Sequence, residues 1–399
     1  MLDINSRLFK YILLTIIVII LIIIIFVLKE MTKYQYLNYN STFFGGNCQF
    51  NPSDIAYEEV AEELDKQSEI IEFIKKILNA GNDAKVIFTS GATEGIATIM
   101  HWCNYINKYG IVLGSRLDHE SVKANAENYG YEYKILDIDN MKNINNIIND
   151  GENISMIFMT HVSSKTGEIY PLNQLPKMQY LSKTYMAGGN EPENLTQHLT
   201  PNIITLQQKP MRILDITQSI GKIPIDMQKY DIDGAMFSMH KLGGELNTGI
   251  LVIRDTFKHE FVPLIAGSQQ NNLRGGTYNS YAFDQLPLLL NDYPYNYNDC
   301  KERWISAEKY ISENLNSKSR LKPKLIKPIL NHVYNTFLIQ LNDCGLGIIK
   351  ELSDNGIYIS SSSACSTKNK DKYIRISFLK SSDLTNATLK KIINEINNA

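Results

Sequence analysis

The sequence predicts an α/β protein: a mostly parallel sheet flanked by helices, a smaller C-terminal α/β domain, and one N-terminal transmembrane helix ahead of both. Three observations predict it. From about Asp83, short β-branched runs alternate with stretches of helical length, the pattern of strand–helix–strand units. Near residue 291 a Tyr/Asn/Pro cluster, Asp292-Tyr293-Pro294-Tyr295-Asn296-Tyr297-Asn298-Asp299, interrupts that pattern. At the N-terminal end, Tyr11–Leu28 runs for 18 residues without a charge. The expected organisation is a tail over 1–10, an anchor over 11–28, a large domain over 29–290 and a small domain over 291–399.

The apolar run would span about 27 Å as a helix, enough for a thin hydrocarbon core. It is apolar all round, unlike an ordinary core helix. Lys29-Glu30-Met31 follows at once, with no small-residue cleavage site. The expectation is an uncleaved single-pass anchor in a membrane. Arg7 and Lys10 on one side and Lys29 and Lys33 on the other leave its orientation undetermined.

Seven strands follow in order: Lys85–Ser90, Gly110–Gly114, Glu132–Ile138, Ile154–His161, Arg212–Ile216, Gly234–Ser238 and Gly249–Arg254. Helical periodicity fills Thr93–Lys108 and Asp118–Asn128. Ala187–Pro210 is polar and carries Gly188-Gly189, Pro192, Pro201 and Pro210, and reads as a long surface loop. After residue 291 helix and strand signals resume and end in a helix near Leu384–Asn397.

Composition narrows the function. Lys and Arg total 40 against 42 Asp and Glu. That near-balance gives no support for nucleic-acid binding by bulk basic charge. Cys48, Cys103, Cys300, Cys344 and Cys365 are scattered, with no CxxC pair. Neither a disulfide framework nor a metal site is expected, and a reducing compartment is the simpler reading. The thiol chemistry below also favours a catalytic domain facing the cytosol.

Four constellations carry chemistry. Thr89-Ser90-Gly91-Ala92-Thr93-Glu94 follows a strand and opens a helix. Free N–H groups, the helix dipole and a Thr hydroxyl make a phosphate cradle there, though alone the motif is equally a Ser/Thr helix cap. Asp215, in Asp215-Ile216-Thr217-Gln218, stands at a strand's carboxyl end, where α/β ligands bind. It can pair with a protonated ring nitrogen or cap a helix. Lys241, in Ser238-Met239-His240-Lys241, ends another apolar strand; it is either a Schiff-base amine or a surface lysine. Cradle, Asp and Lys in this order are what pyridoxal phosphate requires. His119 opens a helix after a strand and could stack on a ring or shuttle protons, or be a helix-terminal surface residue. The last constellation is Ser360-Ser361-Ser362-Ser363-Ala364-Cys365-Ser366, with Lys368, Lys370 and Lys372 beyond it. Positive charge near an exposed thiol favours the thiolate. Arg375, ten residues past Cys365, suits a bidentate grip on a carboxylate or a surface ion pair.

These blocks resemble the cysteine desulfurase (NifS-like) family, within the class V aminotransferase-like fold type I pyridoxal phosphate enzymes. Tyr36-Leu37-Asn38-Tyr39-Asn40-Ser41-Thr42, IFTSGATE, LDHESV, LDITQSIGKIPID, FSMHK, LRGGT and SSSSACS are similar to successive family blocks in the same order. The resemblance implies that Lys241 binds pyridoxal 5'-phosphate covalently, Asp215 pairs with the ring nitrogen and Gln218 bonds the ring hydroxyl. It implies that Ala92, Thr93, Ser238 and His240 hold the phosphate, and that Ser164 stands where an Asn contacts the cofactor. His119 would stack on the ring. Asn40 and Arg375 would bind substrate. Cys365 would be the nucleophile. Thr277 would reach the phosphate of the other subunit of a homodimer.

The implied function is conversion of L-cysteine to L-alanine, with sulfur passing through a Cys365 persulfide to an acceptor protein, such as an iron–sulfur scaffold. A selenocysteine lyase, another class V lyase or aminotransferase, and a non-catalytic membrane-anchored scaffold are the alternatives. Three departures from the family pattern stand out. Ser163-Ser164 replaces paired asparagines, Ala266–Asn272 replaces a Gly/His-rich run, and the Cys365–Arg375 segment is short.

Overall fold

The structure is a computed structural model that describes residues 14–23, 58–106, 110–136, 153–175, 181–186, 203–208, 210–256, 260–361 and 372–399. The strands are β1 (Lys85–Thr89), β2 (Ile111–Ser115), β3 (Glu132–Leu136), β4 (Ile154–Thr160), β5 (Leu181–Met186), β6 (Ile203–Gln208), β7 (Met211–Asp215), β8 (Gly234–Ser238) and β9 (Gly249–Ile253), then β10 (Lys324–Ile326), β11 (Thr336–Gln340) and β12 (Tyr373–Ser377). Seven of them form one sheet in the order β1-β9-β8-β7-β4-β2-β3. β2–β3, β2–β4, β4–β7 and β7–β8 are parallel; β9 runs antiparallel to both its neighbours. The other six strands therefore share one direction, and their carboxyl ends line one edge.

Burial on both faces explains the near-continuous apolar strands. Along β1, Phe88 faces a core with Ile74, Phe237 and Ile250, whereas Ile87 faces a second core with Ile96, Met236 and Leu251. That is the period of two expected of a pleated strand. The helix α1 (Glu58–Ile77) contributes Ile70 and Ile74 to the first core, and α2 (Ala92–Ile106) contributes Ile96, Ile99 and Met100 to the second. α3 (Glu120–Asn128) buries Val122 and Ala126 in that same second core. Beyond residue 291, β10-β11-β12 form a separate antiparallel sheet. It packs a third core from Cys300 to Ile396 with α4 (Tyr297–Asn314), α5 (Leu346–Asp354) and α6 (Asn386–Asn398).

One expectation is corrected and one lies partly outside the described residues. The loop expected over Ala187–Pro210 contains β6, which pairs antiparallel with β5 from Leu181↔Gln208 to Met186↔Ile203. The prolines around it masked a β-branched run, Ile203-Ile204-Thr205. The transmembrane helix expected over 11–28 falls only partly within the described residues, among which no helix is long and apolar enough to cross a membrane. Residues 14–23 are helical and exposed, about 15 Å of helix at 1.5 Å per residue. Residues 11–13 and 24–28 lie outside the described residues.

Candidate active site

A cavity of about 630 Å³ opens at the carboxyl ends of β1, β4, β7 and β8, where a parallel sheet presents ligands. Ala92, Thr93, His119, Ser164, Asp215, Gln218, Ser238, His240, Lys241 and Arg375 all line it. Register explains why. Thr160 and Asp215 are directly paired between β4 and β7. Thr89, Gly249 and Ser238 are paired in a row across β1, β9 and β8.

The cradle lies over that row. Gly91 has φ +150°, a region open to glycine, and the N–H of Ala92 donates to Ser238 Oγ at 2.8 Å. A side chain at Gly249 would put its Cβ 2.4 Å from Gly91 Cα, so only glycine lets β9 pass beneath the turn. Ser90 N–H donates to Glu94 Oε2 at 2.8 Å, and Arg274 donates to both Glu94 oxygens at 3.0 and 3.3 Å. Burial pushes the Glu94 carboxyl up, but Arg274 and Ser90 outweigh it and hold it below its usual range. This pair fastens the 265–277 loop to α2.

Asp215 is 6 % exposed. Its Oδ1 accepts from Thr217 N–H at 2.9 Å, and burial pushes its pKa up. A carboxylate buried this deeply is stabilised by a positive partner. Lys241 sits on the turn Met239–Leu242 after β8 with an exposed side chain. His119 caps α3 and does not begin it: its Nδ1 accepts from Ser121 N–H at 3.2 Å and lies 2.7 Å from Ser121 Oγ. The ring proton is therefore on Nε2 in the neutral form. Arg375 Nη1 donates to the Ser164 carbonyl at 3.0 Å, while its buried Nε has no acceptor among the described residues.

Thr277 is exposed and does not line the cavity. Asn40 and Cys365 lie outside the described residues. Ser360 and Arg375 bond backbone to backbone in both directions across the base of the segment carrying Cys365, at 3.2 and 2.6 Å.

Sequence reading missed three contributors. Asp118, half-buried beside His119, accepts from Ser115 N–H, Ser115 Oγ, Thr160 N–H and Tyr133 OH. Thr160, whose N–H meets Asp118, also lines the cavity. Lys222 donates to Gln218 Oε1 at 3.1 Å. Only the last had a sequence signal, the i,i+4 spacing.

The family model for aminotransferase class-V matches residues 44–186 and 196–387. The chain belongs to that family. Its enzymes depend on pyridoxal 5'-phosphate. The cavity fits the group: a glycine-bounded helix N-terminus for a phosphate, a buried Asp215 for a ring nitrogen, and the Lys241 amine at the same cavity. The chain is similar to cysteine desulfurase IscS of Buchnera aphidicola, 26% identical over 234 residues, covering 53% of this chain and 49% of the relative. It is 26% identical over 270 residues to cysteine desulfurase IscS of Plasmodium falciparum, covering 63% and 41%. The chain thus spans about half the length of the curated relatives it matches. The NifS-like protein of Rickettsia africae shares the fold with a TM-score of 0.66 at 19% identity, over 88% of this chain and 91% of that one. The cysteine desulfurase of Thermococcus onnurineus does so at 0.64 and 16% identity, over 93% and 90%.

Proposed function

We propose that this chain is a cysteine desulfurase that takes sulfur from L-cysteine, releases L-alanine and passes the sulfur to an acceptor protein. The observation that carries the reading is the single cavity holding Lys241, Asp215, Gln218, His119 and Arg375 together. When bound, pyridoxal phosphate supplies an electron sink for charge developing at the substrate Cα.

The chain's residues do the rest. The Arg375 guanidinium grips the substrate carboxylate, with Nε free to donate. Asp215 keeps the ring nitrogen protonated. Lys241 holds the cofactor and moves the α-proton. Cys365 thiolate attacks the substrate sulfur: an S–S bond forms, the Cβ–S bond breaks, and the carbon keeps the electron pair and takes a proton. The products are a persulfide on Cys365 and alanine. The Ser360–Arg375 pairing supports this role, because Cys365 lies five residues after Ser360, whose backbone pairs with that of Arg375, the carboxylate grip. Five residues reach about 17 Å. The acceptor then takes the sulfur by thiol attack.

A homodimer, with Thr277 serving the other subunit's phosphate, belongs to this reading, as does substrate contact by Asn40. A membrane tether over 11–28, with the catalytic domain facing the cytosol, is supported by the charge-free run alone; partition of the full chain between membrane and soluble fractions tests it.

The main experiment adds L-cysteine to the purified chain loaded with pyridoxal phosphate, and assays sulfide and alanine together. Equal yields are expected, along with a Cys365→Ser variant that keeps the visible band and forms no persulfide. Desulfuration surviving in that variant would remove Cys365 from its role. A visible band with selenocysteine turnover only would favour a lyase.

A further inference from the structure

Gln218 and Lys222 sit on consecutive turns after β7. The bonds Ile220 N–H to Ile216 O (2.9 Å) and Ile223 N–H to Ser219 O (3.0 Å) wind this stretch helically and set the two side chains on one face. Lys222 Nζ then donates to Gln218 Oε1 at 3.1 Å. An ammonium carries donors only. It therefore selects the amide oxygen, and the Gln218 NH2 is turned to the other side of the carboxamide. Gln218 lines the cavity; Lys222 stands behind it.

Lys222 is half-buried, and among the described residues no carboxylate lies within ion-pair distance of its Nζ. Burial, and secondarily the Lys241 charge, pull its pKa down to about 8. At neutral pH it is still a cation, with another cation for a neighbour. A half-buried ammonium without a counter-ion, one hydrogen bond behind a ligand cavity, marks where negative charge arrives with the ligand.

We propose that Lys222 is a positioning residue for the cofactor's ring oxygen: it fixes Gln218 as an NH2 donor toward that oxygen, and its unpaired charge favours the oxygen as an anion. The inference rests on the reading that this cavity binds pyridoxal phosphate. Lys222 itself touches neither cofactor nor substrate.

The test is a pH titration of the visible band of the full chain loaded with pyridoxal phosphate, for wild type, Lys222→Met and Lys222→Arg. Lys222→Met should move the titration midpoint upward by about one unit, a tenfold gain in proton affinity. Lys222→Arg keeps donor and charge and should titrate close to wild type. A merely structural Lys222 would alter thermal unfolding and leave the midpoint in place; an unchanged midpoint in Lys222→Met overturns the proposal. Should Lys222→Met fail to fold, Lys222→Gln is read by the same criterion. A wild-type chain with no visible band overturns the cofactor reading beneath, and is told apart because it fails before any variant is made.

Discussion

The Ala92 N–H and the Ser238 hydroxyl meet at 2.8 Å, joining the first turn of α2 to the end of β8 across 146 residues of chain. One amide of the cradle is thereby already satisfied by protein. Ala92 acts by holding Ser238 and the turn in place, and the Thr93 hydroxyl, exposed in the same cavity, is left for an anion. Replacing Ser238 by Ala would leave a buried N–H without its acceptor. The expected loss is about 1 kcal/mol of stability and about tenfold in pyridoxal phosphate affinity, the latter being worth ~1.4 kcal/mol. Thermal unfolding and a cofactor titration measure the two separately.

Arg375 does two jobs with one guanidinium. Nη1 is held by the Ser164 carbonyl at 3.0 Å, which orients the plane, and Nε is left for a ligand. Lysine cannot reproduce that fork. Arg375→Lys should raise KM for L-cysteine about tenfold or more while leaving the cofactor's visible band unchanged. A change in the band with KM unaltered would place Arg375 at the cofactor instead.

Glu168 is 1 % exposed and ties the exit of β4 to the segment before β11. It takes Arg116 at 3.0 and 3.2 Å, Thr166 Oγ1 at 2.7 Å and Ile329 N–H at 2.8 Å. Burial pushes its pKa up, but Arg116, Ile329 and Thr166 outweigh that and hold it below the ordinary 4.5. A depressed carboxyl contributes stability above its unfolded pKa and loses it as pH falls through the folded one. Glu168→Gln should therefore destabilise by about 2–3 kcal/mol at pH 7 and by less near pH 3. Denaturant unfolding at the two values checks it.

Much of this architecture is legible from residue pattern. The starts of all seven main-sheet strands fall within one residue of the apolar runs that predict them, because strands buried on both faces advertise themselves. The direction of β9 is not legible, since an apolar run reads the same both ways. Lys241, Asp215 and the Gly91 turn were visible because each ends a strand. Asp118 was not: its four donors come from Ser115, Tyr133 and Thr160, which only the pairing of β3, β2 and β4 brings together. The strand at 203–208 was hidden by the polar, proline-bearing window around it.

Asp118 has the opposite pH signature to Glu168. Its Oδ2 accepts from Ser115 N–H at 2.7 Å and Tyr133 OH at 3.1 Å; its Oδ1 accepts from Thr160 N–H at 2.8 Å and Ser115 Oγ at 2.9 Å. Those bonds favour the anion, yet burial dominates and raises the pKa from 3.8 to about 6. A raised pKa means the contribution to stability is complete below the unfolded value and lost as pH rises through the folded one, here between about 4 and 6. Asp118→Asn cannot titrate, and its NH2 must face either the Ser115 or the Thr160 N–H. The expected cost is about 2 kcal/mol, larger at pH 4 than at pH 7, because wild type is at its strongest with respect to this group at the lower pH. His119 follows Asp118 directly and caps α3 at the cavity wall, so kcat should fall in the variant even where it remains folded. Unfolding curves at both pH values decide the first point: equal penalties would mean that Asp118 keeps its ordinary pKa, and that its four donors offset its burial.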